Sequence, residues 1–571
     1  MKFEKGRLEA ERSEFPPHPN AEGTGFVDLA TAVANWRQTL GEDAVVVGDG
    51  RLPYEANCIG LVRAIPVVLR PRSETQVQDI IRISRACRVP LYPISTGHNW
   101  GYGAAAPAID RCVLVDLSGM DEITSFDPEL GLVTVQPGVT QGGLHAFLQE
   151  GGHQFMVPVT GAGPTCSILG NALERGYGIT PHADHFAAVR SIRAVLPNGD
   201  IYRSALVDAG GTSVDSGHKW GLGPYLDGLY SQGGFGIVTG MTIALAPLPD
   251  TVEAFLIELD SEEQLGPVVG AVRDLLQKSG AGIGGINLMN RLRLLSMFHP
   301  YPADAVRGGA IPSSVVEQMG DASGLPRWMG LGAIYGDREV VPGLRRAIRR
   351  RLEKHTSRIR FVSRSRLAMA NRFSGMVPRS MREKLRRQTA MATELLDILS
   401  GQPRETALRL AYWKSGVSPA PSLPLDPARD GCGIIWFSPL VPMKADTVRD
   451  YVSLVNDICP KFGIDPLVTL TTVSEQCFDS TVPILFGRKR QSTQANECYH
   501  ALFDACRKRG YLPYRMNVES MRLYTDDKQS NYWRLVKTLK QAVDPDNLIA
   551  PGRYAPSPAA IVEEAVPRSD T

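Results

Sequence analysis

Pro93-Ile94-Ser95-Thr96-Gly97-His98-Asn99-Trp100-Gly101-Tyr102-Gly103-Ala104 is the stretch on which the reading of this 571-residue chain turns. Small residues interleave with polar ones directly after the apolar run Pro90-Leu91-Tyr92. Residues without bulky side chains let a backbone approach an anion and aim N–H groups at it, which is the physics of a diphosphate loop. Composition alone is weak, since many glycine-rich loops are only turns.

Working outward, residues 65 to about 248 alternate apolar β-rich runs with helical ones. Strands are expected at Pro66–Leu69, Pro90–Ile94, Val113–Leu117 and Leu132–Gln136, and helices at Thr75–Cys87 and Gly142–Gln149. Ser191–Leu196 and Ile201–Arg203 flank Pro197-Asn198-Gly199-Asp200, a turn signal that makes them a hairpin and the sheet mixed. After Pro249 the texture shifts to long basic helices, Leu344–Lys354 and Met381–Gln388, with strands such as Gly433–Phe437 between them. The boundaries expected are 1–248, 249–508 and a closing segment, 509–571, that packs back on the first. Helix Tyr532–Val543 opens that segment's last part, and the final dozen residues read as a loose tail.

Lys and Arg total 62 against 60 Asp and Glu, a net charge of +2, so no general basic field points to nucleic acid or an anionic membrane. Neither the charged N-terminus nor any later run resembles a leader or a span of about 20 apolar residues. A cytoplasmic protein with a small-molecule substrate is expected. The nine cysteines form no Cys-x-x-Cys pair, and His182, His185 and His218 are spaced unlike ligands, so no metal is expected. The arginines at 345, 346 and 349–351 form a basic helical face, read as solvated.

A second glycine-rich stretch runs Gly161-Ala162-Gly163-Pro164-Thr165-Cys166-Ser167-Ile168-Leu169-Gly170-Asn171-Ala172-Leu173-Glu174-Arg175-Gly176-Tyr177-Gly178. It begins like a dinucleotide fingerprint, with Asp184 where a ribose-binding acid would sit. Cys166 at the third small position, the interrupting Pro164 and the placement deep in the domain argue against that reading.

The two loops, with Thr180–His185, Gly223–Val238 and Asp544-Pro545-Asp546-Asn547-Leu548-Ile549-Ala550-Pro551-Gly552, resemble in order the motifs of the vanillyl alcohol oxidase and p-cresol methylhydroxylase family. The resemblance implies an α+β fold: a two-lobed FAD-binding domain built from both chain ends, and an α+β cap over the flavin. FAD would lie with its diphosphate on the amides of Ser95, Thr96, Gly97, His98 and Asn99 and of residues 161–171, and its adenosine end near Gly236, Ile237 and Val238. Further cofactor contacts are expected from Pro93, Ile94, Gly103, Pro137, Gly163, Cys166, Ser167, Gly170, Asn171, Glu174, Gly176, Gly178 and Arg553.

In the nearest members His98 is replaced by arginine and the flavin is tethered from the cap, where Gly431–Pro439 offers only Ile434 or Ile435. Gly97-His98-Asn99 is similar to the Gly-His motif of more distant oxidases whose histidine bonds the flavin, so a covalent link at His98 is expected, with a plain polar contact as the alternative. Cys166 is read as a structural or flavin-adjacent thiol rather than a second tether. Tyr102, Tyr514 and Arg515 fall where the family surrounds a substrate phenol, implying hydride loss from a para-substituted phenol through a quinone methide, with O2 or an electron-transfer protein as acceptor and possible homodimers. The family's flavin-side Asp is missing from Val157–Thr165. Glu475 and Asp479 are possible replacements, though each reads better as a solvated acid. That departure keeps open a non-phenolic alcohol or natural-product substrate. A flavin-binding protein without turnover is the alternative outside enzymes.

Overall fold

The computed structural model describes residues 28–306, 308–373, 378–419 and 422–556. The charged N-terminus and the closing tail singled out above lie outside them. No described helix is long and apolar enough to cross a membrane.

The first lobe carries two main sheets and a short ladder between Phe155–Met156 and Ala246–Pro247. In one, Val68–Leu69 and Leu91–Ile94 flank Val113–Asp116 in parallel, and Val45–Val46 adds an antiparallel edge. Helix Glu74–Cys87 packs on this sheet through Val77, Ile80, Ile81, Ser84 and Cys87, the spacing of one buried helical face. Ser73 caps its start by accepting from the Gln76 amide, and left-handed Arg88 ends it. The second sheet is antiparallel, with Ile237–Ala244 at its centre between Leu132–Val135 and Val189–Val195. Val189–Val195 also pairs with Ile201–Tyr202, the expected hairpin.

Leu91 joins the chain's two ends. Its amide donates to Leu548 O (2.8 Å) and its carbonyl accepts from the Ala550 amide (2.7 Å). Buried Lys540, on helix Asn531–Val543, ties this junction together by donating to Asp544 (2.6 Å), Ile549 O (2.7 Å) and Gly234 O. Residues 511–521 instead contribute Tyr511, Met516, Val518 and Met521 to the second lobe's core, so the closing segment touches both lobes.

The second lobe is an antiparallel sheet whose strands run, edge to edge, Arg358–Ser363, Thr251–Leu259, Trp328–Gly336, Asn287–Asn290, Thr469–Thr472, Cys477–Phe486 and Gly433–Phe437. Helices Leu265–Ser279, Val341–Leu352, Ala445–Ile458 and Ser492–Arg507 supply apolar residues to its core. The opposite face looks into the cleft between the lobes. Side chains alternate across a strand, so register selects two rows on that face. One runs Asp479, Thr471, Asn287, Leu331, Leu256, Arg360, and the other Thr481, Thr469, Met289, Met329, Glu258, Arg358.

Candidate active site

The cleft encloses about 1760 Å³. That exceeds the ~300–1,000 Å³ of a site for one small ligand and leaves room for an extended cofactor together with a substrate.

Its first-lobe wall is the 93–104 loop facing helix Ile168–Leu173. Gly97 (φ +69°) and Gly101 (φ +75°) adopt backbone that favours glycine, and a Cβ at Gly101 would run into the Trp436 indole. Gly170 has the same kind of constraint, since a Cβ there would strike Ser95 Oγ. Ser167 fixes the facing turn by donating to Pro137 O (2.6 Å) and accepting from the Gly170 amide (2.9 Å). Among the described residues, none of the amides of Ser95 to Asn99 donates to a protein acceptor. Backbone N–H groups that line a cleft without a protein partner are free to receive an anion, which is what a diphosphate cradle requires. The donor set and the close backbone approach fit the FAD diphosphate.

Tyr102, Tyr514, Arg515 and all the cofactor-contact residues expected from the sequence line this cleft except Gly103, Gly163 and Ile237. Gly236 and Val238 face inward, so strand alternation turns Ile237 into the core of the first lobe. The Cβ direction of Gly103 points at Val518 and that of Gly163 at Leu408, so both serve packing rather than cofactor contact. Cys166 is buried on the cleft wall, and burial pushes its thiol up to about 11, keeping it protonated. Of the two cap isoleucines, Ile434 faces the cleft and Ile435 lies in the cap core.

His98 stacks on Trp100 with centroids 4.9 Å apart, and its Nδ1 lies 3.1 Å from Thr165 O. A carbonyl only accepts, so Nδ1 donates to Thr165 O and Nε2 is the ring nitrogen left to face other groups. Next to it Asn99 Oδ1 accepts from Arg515 (2.5 Å), whose Nε is 3.2 Å from Glu174. Glu174 also pairs with Arg553, which donates to the Tyr92 hydroxyl (3.1 Å). One carboxylate thus sits between two guanidinium groups, leaving the cluster a net positive charge.

The Arg515 guanidinium lies 4.2 Å from the Tyr102 ring centroid, a cation–π contact, and the Tyr102 hydroxyl is 3.0 Å from Ser438 Oγ. Burial pushes Tyr102 up to about 12 and Tyr514 well above its ordinary value, so both remain hydroxyl donors.

Tyr177, given no role in the sequence reading, and Asp479, read there as a solvated acid, complete this end. Tyr177, between Gly176 and Gly178, packs against Tyr514 with ring centroids 5.9 Å apart and donates its hydroxyl to Asp479. Asp479 is 1% exposed, which corrects its reading as a solvated acid, whereas Glu475 is exposed. Strand Cys477–Phe486 carries Asp479 inward in register with Thr471. Burial raises its carboxyl to about 7 despite a hydrogen bond from Thr481 (3.0 Å), and its Oδ1 has no hydrogen-bond partner. Its signal in the sequence was the polar run Asp479-Ser480-Thr481 inside an otherwise apolar strand.

Comparison with known proteins agrees with this geometry. Residues 65–205 match the family described as FAD binding domain. The 1'-carboxy-chondrochloren decarboxylase of Chondromyces crocatus is 34% identical over 531 residues, 92% of this chain and 97% of that protein. The chain belongs to the vanillyl alcohol oxidase and p-cresol methylhydroxylase family. Another member, the 4-cresol dehydrogenase [hydroxylating] flavoprotein subunit of Pseudomonas putida, is 28% identical across 91% of this chain and 94% of its own length. The crystal structure of p-cresol methylhydroxylase with substrate bound superposes with a TM-score of 0.81 at 26% identity, covering 92% of this chain and 96% of that one. The family fold and the cradle together make the chain an FAD-dependent oxidoreductase.

Proposed function

We propose that this enzyme removes a hydride from the benzylic carbon of a para-substituted phenol. The observation that carries the reading is that Tyr102, Tyr177, Tyr514 and Arg515 line the cleft in mutual contact, Arg515 over the Tyr102 ring and Tyr177 against Tyr514, with buried Asp479 behind Tyr177. Hydroxyl donors and a net positive cluster hold a phenol oxygen as phenolate. Tyr177 gives its proton to Asp479, so its lone pairs are free to accept the substrate's, making the pair a proton relay. A para-phenolate pushes electron density to the benzylic carbon, and hydride loss leaves a quinone methide stabilised by the same fixed donors. Bound FAD supplies the hydride acceptor, and O2 or an electron-transfer protein takes the electrons afterwards. His98, through Nε2, is the group proposed to bond the flavin covalently. Support for a phenolic substrate comes from the relatives named for 4-cresol and p-cresol.

The decarboxylase relative favours a second reading of the later step. When the carbon next to the benzylic position bears a carboxylate, its C–C bond breaks as CO2 leaves. The released pair forms an alkene and returns the quinone methide to phenolate.

Anaerobic mixing with 4-ethylphenol tests the first step. Flavin absorbance is expected to bleach with 4-ethylphenol and not with its methyl ether, and Tyr514→Phe is expected to slow bleaching by about 100-fold. Equal bleaching by phenol and ether would refute the phenolate reading.

A further inference from the structure

Arg293 lines the cleft from helix Arg291–Phe298, three residues beyond the end of the strand bearing Met289. Its Nη1 donates to Ser296 Oγ (2.9 Å), and among the described residues no other of its donors has a protein acceptor and no carboxylate lies within ion-pair distance. The other half-buried or sheet-face arginines of the cleft differ: Arg358 and Arg360 flank Glu258, and Arg515 and Arg553 share Glu174. Two residues away, Arg291 is held by Glu317 (2.6 Å) and Asp321 (2.7 Å). Burial acts on Arg293 uncompensated and lowers it to about 10. A partly desolvated cation without a counter-ion carries a free-energy cost that a bound anion lowers.

We infer that Arg293 is a recognition residue for a carboxylate on the substrate, so the enzyme acts on phenols whose side chain ends in a carboxylate. The inference rests on the phenol reading above only for the rest of the substrate. One guanidinium beside one hydroxyl, with Met289 and Leu294 on the same wall, balances a single negative charge. A planar fork of N–H donors fits the two oxygens of a carboxylate, whereas a doubly charged phosphate would call for more cations.

The test compares 3-(4-hydroxyphenyl)propanoate with its uncharged isostere 4-(3-hydroxypropyl)phenol, bound anaerobically to the flavin-loaded enzyme. Affinity is read from the perturbation of the flavin spectrum and kcat/KM from turnover. The wild-type enzyme is expected to prefer the carboxylate by about 10- to 100-fold. Arg293→Met should abolish the preference and Arg293→Lys should retain part of it, with bound flavin reporting that each variant is folded. If Arg293→Met loses its flavin, the fall in preference in Arg293→Lys carries the test. No wild-type preference, or an unchanged one in the folded variants, overturns the inference. Arg293-dependent carboxylate binding without flavin reduction by either phenol would sink the phenol reading alone. Reduction by both without an Arg293-dependent preference would sink this inference alone.

Discussion

The Tyr177 hydroxyl donates to the Asp479 carboxylate, joining residues 302 positions apart in the chain. The bond places a proton acceptor with a pKa of about 7 directly behind a hydroxyl that faces the cleft. Only the ionised carboxylate can take a proton through Tyr177, so kcat/KM for a phenol should rise with pH through about 7 and then level off. Asp479→Asn should remove that limb and lower the plateau by about 10²- to 10⁴-fold. A pH–rate profile of the variant that keeps the limb near 7 would assign it to another group.

The same residue makes a prediction about stability. Burial raises its folded pKa from the ordinary 3.8 to about 7. Between those values the unfolded chain has lost the proton and the folded one keeps it, so the group's contribution to stability falls as pH rises and stays low above the folded pKa. Asp479→Asn removes this penalty. Its stability relative to wild type should therefore climb between about pH 4 and 7 and then stay constant, with a total change on the order of 2–4 kcal/mol. Denaturant unfolding at several pH values reads this, and a difference that is flat with pH would contradict it.

What could be read from the chain was what local sequence determines. The strands and helices between residues 65 and 248 follow from short-range apolar periodicity, and the 93–104 cradle from glycines whose backbone angles are a local property. Asp479 was misread because its burial is set by packing across the cleft, and no window around Cys477-Phe478-Asp479 contains Tyr177. Arg291 and Arg293 make the point within a single turn of helix. Both stand in Arg-Leu-Arg, yet one meets Glu317 and Asp321 and the other faces the cleft without a carboxylate. Ile237 shows the reverse error, a neighbour of true cleft residues carried along by adjacency although alternation points it away.

Flavin attachment is predicted at His98. With Nδ1 committed to Thr165 O, Nε2 is the nitrogen available for a bond to the flavin, and Cys166, held as a thiol, is not a competing thiolate. Acid precipitation should leave the yellow colour in the pellet, and the flavin should map to the peptide containing His98. His98→Ala should release all of it to the supernatant, while Cys166→Ala should release none. Flavin retained by His98→Ala would move the tether elsewhere.

Glu174 gives the sharpest electrostatic prediction. Its carboxylate is 7% exposed and is the shared partner of Arg515 and Arg553. Glu174→Ala leaves two guanidinium groups facing each other with their common counter-ion gone. Removing one partner of a buried pair costs roughly 3–5 kcal/mol, because the remaining charge is stranded. Arg515 would also lose the contact that holds it at Asn99 and over Tyr102, so a smaller fraction of the chain carrying flavin should accompany the loss of stability. Adding Arg515→Met to Glu174→Ala takes away one of the stranded charges and should recover part of the stability. The two substitutions should therefore be strongly non-additive, with a coupling of about 1–3 kcal/mol in a double-mutant cycle followed by chemical unfolding. Strict additivity would mean that Glu174 and Arg515 contribute independently, and the charge cluster would lose its role in shaping the cleft.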